Sequence, residues 1–278
     1  MRIFKIVFEV VLVFILLWAI NLTLVLRERL KPSGPRDSVG YTPELTTVEY
    51  TTTLQEKISQ PPKITLTYST GEKIVYDIKY GDFHIGKSEF NSNGRYELNG
   101  KGLNLLTFET KLVNFWDKEK VYCNPETMLP VKVERDIINL FARERIVEEY
   151  DQANFIVQIT KQKGKRQEKI SIKNTAPINN PILLPHSIRN LVNFSVGEVF
   201  NVNLPNRFFK MHILDVEDIS VPAGTFKAYH LESEPKQIQI WISADELRIP
   251  IKIEGTGIFG YTLLMKKYNP PTFITVQE

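Results

Sequence analysis

The chain has 278 residues, of which 42% are hydrophobic and 24% are charged, a balance typical of a globular protein and not of a disordered one. Residues 1–36 carry six basic and two acidic side chains, so the remaining residues carry 29 basic and 30 acidic ones. The larger part of the chain therefore has no basic excess, which argues against a nucleic-acid partner. A single cysteine, Cys123, excludes an intramolecular disulfide.

An apolar segment of 21 residues occupies positions 6–26 and contains one charge, Glu9. As an α-helix it would be about 31 Å long, which matches the hydrocarbon core of a bilayer. No small-residue cleavage site follows it, which favours an uncleaved anchor over a cleaved secretory signal. Basic residues flank both ends, so the positive-inside rule gives no orientation. We predict a transmembrane anchor over residues 1–30, with the membrane as a partner.

A proline- and threonine-rich segment follows over residues 31–62. Five prolines interrupt any regular element, and residues 46–53 are mostly threonine, which predicts a flexible tether. We expect the folded domain to occupy residues 63–270 and a short C-terminal tail to occupy residues 271–278.

Apolar and polar residues alternate repeatedly from about residue 64, as expected for strands with one face against a core. In residues 73–80, for example, Ile74, Tyr76 and Ile78 fall on one face. Asn93-Gly94 predicts a two-residue hairpin turn, because both positions of such a turn favour a positive φ.

Two further segments carry turn signals. The basic run over residues 161–169 contains Gly164, which predicts a solvated hairpin tip. Pro222-Ala223-Gly224 predicts a structural turn in which Pro222 starts the turn and Gly224 has a positive φ.

These patterns predict a mainly β fold made of antiparallel strands, in a sheet with one apolar face against a core and a more polar face opposite. We expect about ten to twelve strands, few of them separated by a connection long enough for a crossover helix. One or two short helices are predicted, at residues 185–194 and near residues 105–115, in addition to the N-terminal transmembrane helix.

Five segments of this domain resemble, in the same order, those of the bacterial domain-of-unknown-function 3108 family. They cover residues 75–81, 124–130, 149–152, 221–226 and 240–246. The resemblance implies a cell-envelope protein with a single large antiparallel curved sheet, or open β-barrel, similar to that of the lipoprotein-carrier proteins. It also implies a periplasmic location for the folded domain, and hence a single-pass protein of the bacterial inner membrane. The biochemical role of the family is not established.

The residue types that commonly carry chemistry show no catalytic pattern. None of the four histidines has metal-ligand spacing, although His212 and His230 could approach each other across the hairpin at Pro222–Gly224 and bind a metal there. We favour ordinary strand histidines. The acidic clusters at residues 215–218 and 245–246 are interpreted as solvated carboxylates at strand ends. We predict no catalytic residue, no metal and no cofactor.

Three aromatic residues are the candidate ligand-binding positions. Trp241 falls on the face opposite Ile238, Ile240 and Ile242, so something should cover its indole, either a short helix such as residues 185–194, a loop, a partner or a ligand. Trp116 and Phe115 lie next to a charged strand, and for them too the group that covers the side chain has to be identified.

Three functions remain open at this point. The first is a non-enzymatic envelope protein whose curved sheet binds an acyl chain, a lipid-linked molecule or a partner segment. The second is a structural protein whose concavity is filled by its own side chains and whose outer surface docks an envelope partner. The third is an enzyme acting on lipid or glycan, which no constellation of residues supports.

Overall fold

The structure is a computed structural model that describes residues 70–140, 142–191, 194–255 and 260–272. These residues belong to a compact unit that covers Thr65–Glu278. The predicted anchor and tether lie outside the described residues. Within the described ranges, none of the helices has the length and apolar character needed to cross a bilayer.

The described residues form fourteen strands and one short α-helix. The strands are β1 (Lys73–Tyr80), β2 (Phe83–Leu98), β3 (Lys101–Leu112), β4 (Phe115–Cys123), β5 (Pro130–Asn139), β6 (Ala142–Asp151), β7 (Ile156–Lys163), β8 (Arg166–Lys173), β9 (Val199–Leu204), β10 (Arg207–Val221), β11 (Gly224–Glu234), β12 (Ile238–Ser243), β13 (Pro250–Gly255) and β14 (Tyr261–Asn269). Helix α1 (Leu184–Ser187) continues into a 3₁₀ turn, Ile188–Asn190, so one of the two predicted helices is confirmed.

All fourteen strands belong to one antiparallel sheet, in which β1 to β8 and β9 to β14 each pair in sequence order and β14 also pairs with β1. Strands β8 and β9 are the two edges, so the sheet is curved but not closed. The predicted curved, open, mainly β architecture is therefore confirmed, with fourteen strands instead of ten to twelve. Strands such as β8 are hard to count from sequence, because most of their side chains are exposed and the apolar alternation is weak.

Two local predictions were wrong. Asn93-Gly94 is a bulge inside β2, where the pairing with β3 shifts and Gly94 has a φ of 82°; the hairpin turn is instead Asn99-Gly100, whose φ angles are 52° and 73°. The helix expected near residues 105–115 is part of β3 and β4. Leu103, Asn104, Leu106 and Thr107 are all buried, so both faces of β3 are covered and its apolar residues do not alternate regularly.

The core lies against one face of the sheet, which we call the inner face. Residues that pair directly across antiparallel strands lie on the same face. Ile74 pairs with Phe90 and with Tyr268, and Ile74 and Phe90 are almost completely buried. The inner face is therefore the one that carries these residues and their partners along the sheet.

The described residues between the two edge strands, 174–191 and 194–198, form what we call the closing segment. It buries Ile178, Leu183, Leu184 and Ile188, and the ring of His186 stacks on Phe90 with centroids 3.5 Å apart. This stacking shows that the segment packs against the inner face.

Polar contacts hold the closing segment at one end of the sheet. Gln152 Nε2 donates to the carbonyl of Ile178, and Ile178 N donates to Gln152 Oε1, both at 2.9 Å. Arg189 donates to both oxygens of Glu72 at 2.8 and 2.9 Å. We call this the closed end. The opposite end, where the β1–β2, β3–β4, β5–β6 and β7–β8 hairpins turn, is called the open end.

Candidate functional site

Charged side chains lie on the inner face towards the open end. Period-two alternation puts Asp117 and Glu119 on the same face of β4 as Val121 and Cys123, which are completely buried. Glu119 pairs with Phe108 of β3 and with Arg135 of β5. The register therefore brings one guanidinium and two carboxylates together on the core side of the sheet.

The three charged groups form an ion cluster. Arg135 Nε donates to Asp117 Oδ1 at 2.9 Å and to Asp117 Oδ2 at 3.1 Å, and its Nη2 also donates to Asp117. The same Nε lies 3.2 Å from Glu119 Oε1. Asp117 and Glu119 are only 8% and 9% exposed, whereas the Arg135 side chain is 35% exposed. Solvent, and hence a ligand, can reach the cluster through Arg135.

The single guanidinium of Arg135 does not fully stabilise the ionised forms of all the carboxyl groups in this region. Burial raises the pKa of Glu119 to about 7, Arg135 acts in the opposite direction, and the charges of Asp117 and Glu148 raise the pKa further. Glu148 accepts a hydrogen bond from the hydroxyl of Tyr150, and burial together with Glu148 raises the pKa of Tyr150. A carboxyl whose protonation changes near neutral pH and which a ligand can approach is a candidate functional group.

Apolar side chains surround the ion cluster towards the open end. Phe108 pairs with Glu119, Ile137 with Asp117, and Leu112 with Phe115, so all four apolar residues lie on the inner face. All four are only partly buried. We call this set, together with Asp117, Glu119 and Arg135, the inner-face site. Of the three predicted ligand-binding residues, only Phe115 belongs to it.

Trp241 lies on the outer face, because its neighbour Ile240 pairs with Leu231 and Ile253 in the core. Its indole is 5% exposed. The ring stacks on His230 with centroids 4.5 Å apart, and Lys252 Nζ lies 4.0 Å from its centre. The covering groups are thus cross-strand neighbours, and the expectation that a local helix covers Trp241 was wrong.

Trp116 is also on the outer face, since it alternates with Asp117. Its indole Nε1 donates to Glu109 Oε1 at 2.6 Å, much as the Trp241 indole donates to Glu217 Oε1 at 2.6 Å. The structure therefore does not bring the three predicted ligand-binding residues together. The predicted turn residues lie where β10 meets β11, with Pro222 between the strands and Gly224 at a φ of 135°.

The alternative in which His212 and His230 approach each other does not occur in register, because His212 pairs with Glu232 and His230 pairs with Asp215. His230 instead has two carboxylates nearby. Its Nδ1 lies 3.7 Å from Asp215 Oδ1 and 3.9 Å from Glu217 Oε1. Atoms of these three residues are close enough to hold a metal ion, but Asp215 and Glu217 are largely exposed.

Two other groups that could carry chemistry are buried in the core. Burial raises the pKa of the Cys123 thiol to about 12, so the nucleophilic thiolate is scarce at neutral pH. Burial, with a smaller effect of Arg189, lowers the pKa of His186 well below the ordinary value for histidine. His186 therefore stays neutral and serves the packing of the closing segment.

Sequence reasoning missed Asp117, Glu119 and Arg135, although the alternation contained a signal for two of them. The run Asp117-Lys118-Glu119-Lys120 was interpreted only as a charged strand. Alternation places Asp117 and Glu119 on the same face as Val121 and Cys123, two apolar residues suited to a core. Charged residues on such a face indicate buried charges, which need partners. The partner, Arg135, could not be identified without the register of β4 and β5.

A family model described as a protein of unknown function (DUF3108) matches residues 67–266. No curated protein matches the chain.

Several solved structures show a distant likeness. The first is a β-barrel-like protein of domain of unknown function DUF1849 from Brucella abortus, with 8% identity, a TM-score of 0.43 and coverage of 72% of this chain and 98% of that one. A candidate exported protein with a YmcC-like fold from Bacteroides fragilis has 9% identity, a TM-score of 0.32 and coverage of 72% and 96%. A candidate lipoprotein from Parabacteroides distasonis has 12% identity, a TM-score of 0.26 and coverage of 74% and 98%.

Proposed function

The chain belongs to the DUF3108 family of proteins of unknown function, and we propose that its folded domain binds an amphiphilic molecule, such as a lipid, without catalysing a reaction. One observation carries this proposal. The closing segment packs against the inner face at the closed end, whereas at the open end the inner face presents partly exposed apolar side chains beside an ion cluster. An apolar surface with a few polar groups is the usual composition of a small-molecule site.

The apolar part of the ligand would pack on Phe108, Leu112, Phe115 and Ile137. Each of these side chains retains accessible surface, and covering apolar surface stabilises a complex by about 25 cal/mol per Å². An acyl chain suits this surface because it needs no hydrogen bonds. This part of the proposal retains the groove-binding hypothesis and Phe115, while Trp241 and Trp116 support the sheet from its outer face.

The polar part of the ligand would meet the ion cluster. Asp117 and Glu119 share Arg135, and Glu148 adds a third carboxyl group whose charge acts on Glu119. An amine or hydroxyl group would donate hydrogen bonds to these carboxylates, whereas an anionic group would be repelled by all but Arg135. We therefore infer an amphiphile with a cationic or hydroxyl-bearing head in preference to a free fatty acid.

We further propose that the chain acts in the bacterial envelope, held in the inner membrane by residues 6–26 with its folded domain in the periplasm. The apolar length of that segment supports an anchor. The resemblance of the folded domain to the DUF3108 family, which implies a cell-envelope protein, supports the periplasmic side. Such an anchor would keep the inner-face site within reach of lipid.

A structural role is the second candidate, and the closing segment favours it. Ile178, Leu183 and Leu184 fill part of the concavity with the chain's own side chains. In this alternative the inner face binds no ligand, and the outer surface docks an envelope protein.

Ligand binding by the full chain in amphipol distinguishes the two candidates. Two fluorescent single-chain amphiphiles, one with an amine head and one with a carboxylate head, are titrated and followed by anisotropy. We expect the amine probe to bind more tightly. Ile137→Asn should weaken its binding by about tenfold, because the isoleucine contact is lost. Ile138→Asn is the matched control, since Ile138 pairs with the outer-face Trp116. Absence of binding, or equal losses in both variants, would favour the structural role.

A further inference from the structure

The open end of the sheet carries unusually exposed apolar side chains at three neighbouring hairpins. Phe83, at the start of β2, is 73% exposed; Val113, in the β3–β4 turn, is 75% exposed; and Leu140, after β5, is 58% exposed. The hairpins lie side by side, because β1 to β6 are consecutive in the sheet. Scattered exposed apolar residues are common, but a group of them at one end marks an interaction surface.

The rest of this end is also apolar in part. Tyr80 and Tyr261, which pair with each other across β1 and β14, are 37% and 40% exposed. Tyr80 also pairs with Phe83 in the β1–β2 hairpin, and Tyr261 is the first residue of β14. The three tips and the two tyrosines together form what we call the apolar tip surface.

A basic hairpin lies beside the apolar tip surface. The β7–β8 hairpin turns at the open end and carries Lys161, Lys163, Lys165, Arg166 and Lys169 against a single acidic residue, Glu168. Most of these side chains are exposed. This charge is localised, because residues 37–278 together carry 29 basic and 30 acidic side chains.

We propose that the open end docks on an anionic lipid bilayer. Phe83, Val113 and Leu140 enter the interfacial layer, and the basic hairpin lies over the anionic headgroups. Apolar side chains next to lysines and arginines are the combination that holds peripheral proteins on such surfaces.

Two observations favour a bilayer over a protein partner. The apolar side chains are on separate hairpin tips, and tips can enter a fluid interface one by one, whereas a protein interface needs a continuous complementary surface. The chain also contains the apolar segment of residues 6–26, which is long enough to hold a bilayer in its neighbourhood. The proposal goes beyond the proposed ligand, because docking would occur whether or not the inner-face site is filled.

Depth measurements on the full chain test the proposal. The chain is reconstituted in nanodiscs of phosphatidylcholine with or without phosphatidylglycerol, and single cysteines replace Phe83, Val113 or Leu140. A fluorophore on each cysteine is quenched by nitroxides on the lipid chains. Lys101→Cys and Ala223→Cys, both at the closed end, are the matched controls. Wild-type protein is the labelling blank, because Cys123 is fully buried.

We expect quenching at the three tips to exceed that at the two controls several-fold in discs that contain phosphatidylglycerol. Charge reversal by Lys165→Glu with Arg166→Glu should reduce quenching at the tips, whereas Lys227→Glu on β11 should not. Circular dichroism establishes that each variant is folded. Equal quenching at tips and controls would overturn the proposal. The proposal would also be overturned if the three tips became shielded only when a second envelope protein is added, because the partner would then be a protein.

Discussion

Replacing Glu119 by glutamine should change how the stability of the protein depends on pH. Glutamine has nearly the shape of a protonated glutamate but cannot ionise. Glu119 is buried, and its pKa of about 7 in the folded state exceeds the ordinary glutamate value of 4.5. The folded protein therefore holds a proton that the unfolded chain releases between these two pH values.

The sign and size of the effect follow from this difference. Between pH 4.5 and 7 the folded state binds more protons than the unfolded state, so the free energy of unfolding falls as the pH rises and then levels off. Each pH unit corresponds to about 1.4 kcal/mol, which gives a total of about 3 kcal/mol. Glu119→Gln avoids this loss. We expect the variant to equal the wild type below pH 4.5 and to be more stable by about 3 kcal/mol at pH 8.

Urea unfolding of the full chain in a mild detergent, followed by tryptophan emission, measures this difference at pH 4.5, 6 and 8. Glu134→Gln is the matched control. Glu134 lies on the neighbouring strand β5, where a hydrogen bond from Lys132 lowers its pKa despite partial burial. The carboxylate of Glu134 therefore contributes stability that is present above its unfolded pKa and lost as the pH falls, so its loss should destabilise mainly at pH 6 and 8. A Glu119→Gln variant that is no more stable than the wild type at pH 8 would refute the argument that Glu119 is poorly compensated by Arg135.

Three further outcomes are expected. Gly224→Val should lower the free energy of unfolding by about 1–3 kcal/mol, because a β-branched residue is strained at a positive φ; an unchanged urea midpoint would contradict this. Trp241→Phe should cost about 1 kcal/mol by removing the hydrogen bond to Glu217 while keeping most of the stacking, and binding of the amine probe should stay unchanged, since a large loss of binding would place the ligand on the outer face. The intact mass of protein extracted from membranes should include residues 6–26, and a chain that begins after residue 26 would show that the segment is a cleaved signal.

Local patterns could predict the fold class but not every turn. Strict alternation in residues 73–80 identifies a strand because one of its faces is buried throughout. Asn93-Gly94 and Asn99-Gly100 carry the same dipeptide, and local chemistry does not tell which of them reverses the chain. The choice depends on β3, because the pairing of β2 continues past the bulge at Gly94 to the turn at Asn99-Gly100. That information comes from the neighbouring strand.

The candidate site was harder to predict for a related reason. Phe115 was chosen for its aromatic character, and it lies on the inner face. Trp241 was correctly expected opposite the core isoleucines, but its cover comes from His230 and Lys252 on two other strands. Glu119 can be recognised as a candidate site residue only once the structure shows that Arg135 pairs with it and that Asp117 shares the same guanidinium. The alternation of residues shows on which face of one strand each side chain lies. Predicting a site also requires knowing which residues pair across neighbouring strands.

The pairing of β1 with β14 has a consequence for the growing chain. Strands β1 to β8 form one meander and can pair as each is synthesised, because their contacts are close in sequence. One long edge of β1 nevertheless stays unpaired until β14, the last of the fourteen described strands, has been made. During that interval an edge flanked by Ile74, Tyr76 and Ile78 is open to other chains, and exposed apolar edges promote aggregation. Nascent or truncated chains that end before Tyr261 should therefore depend on chaperones far more than the finished protein does.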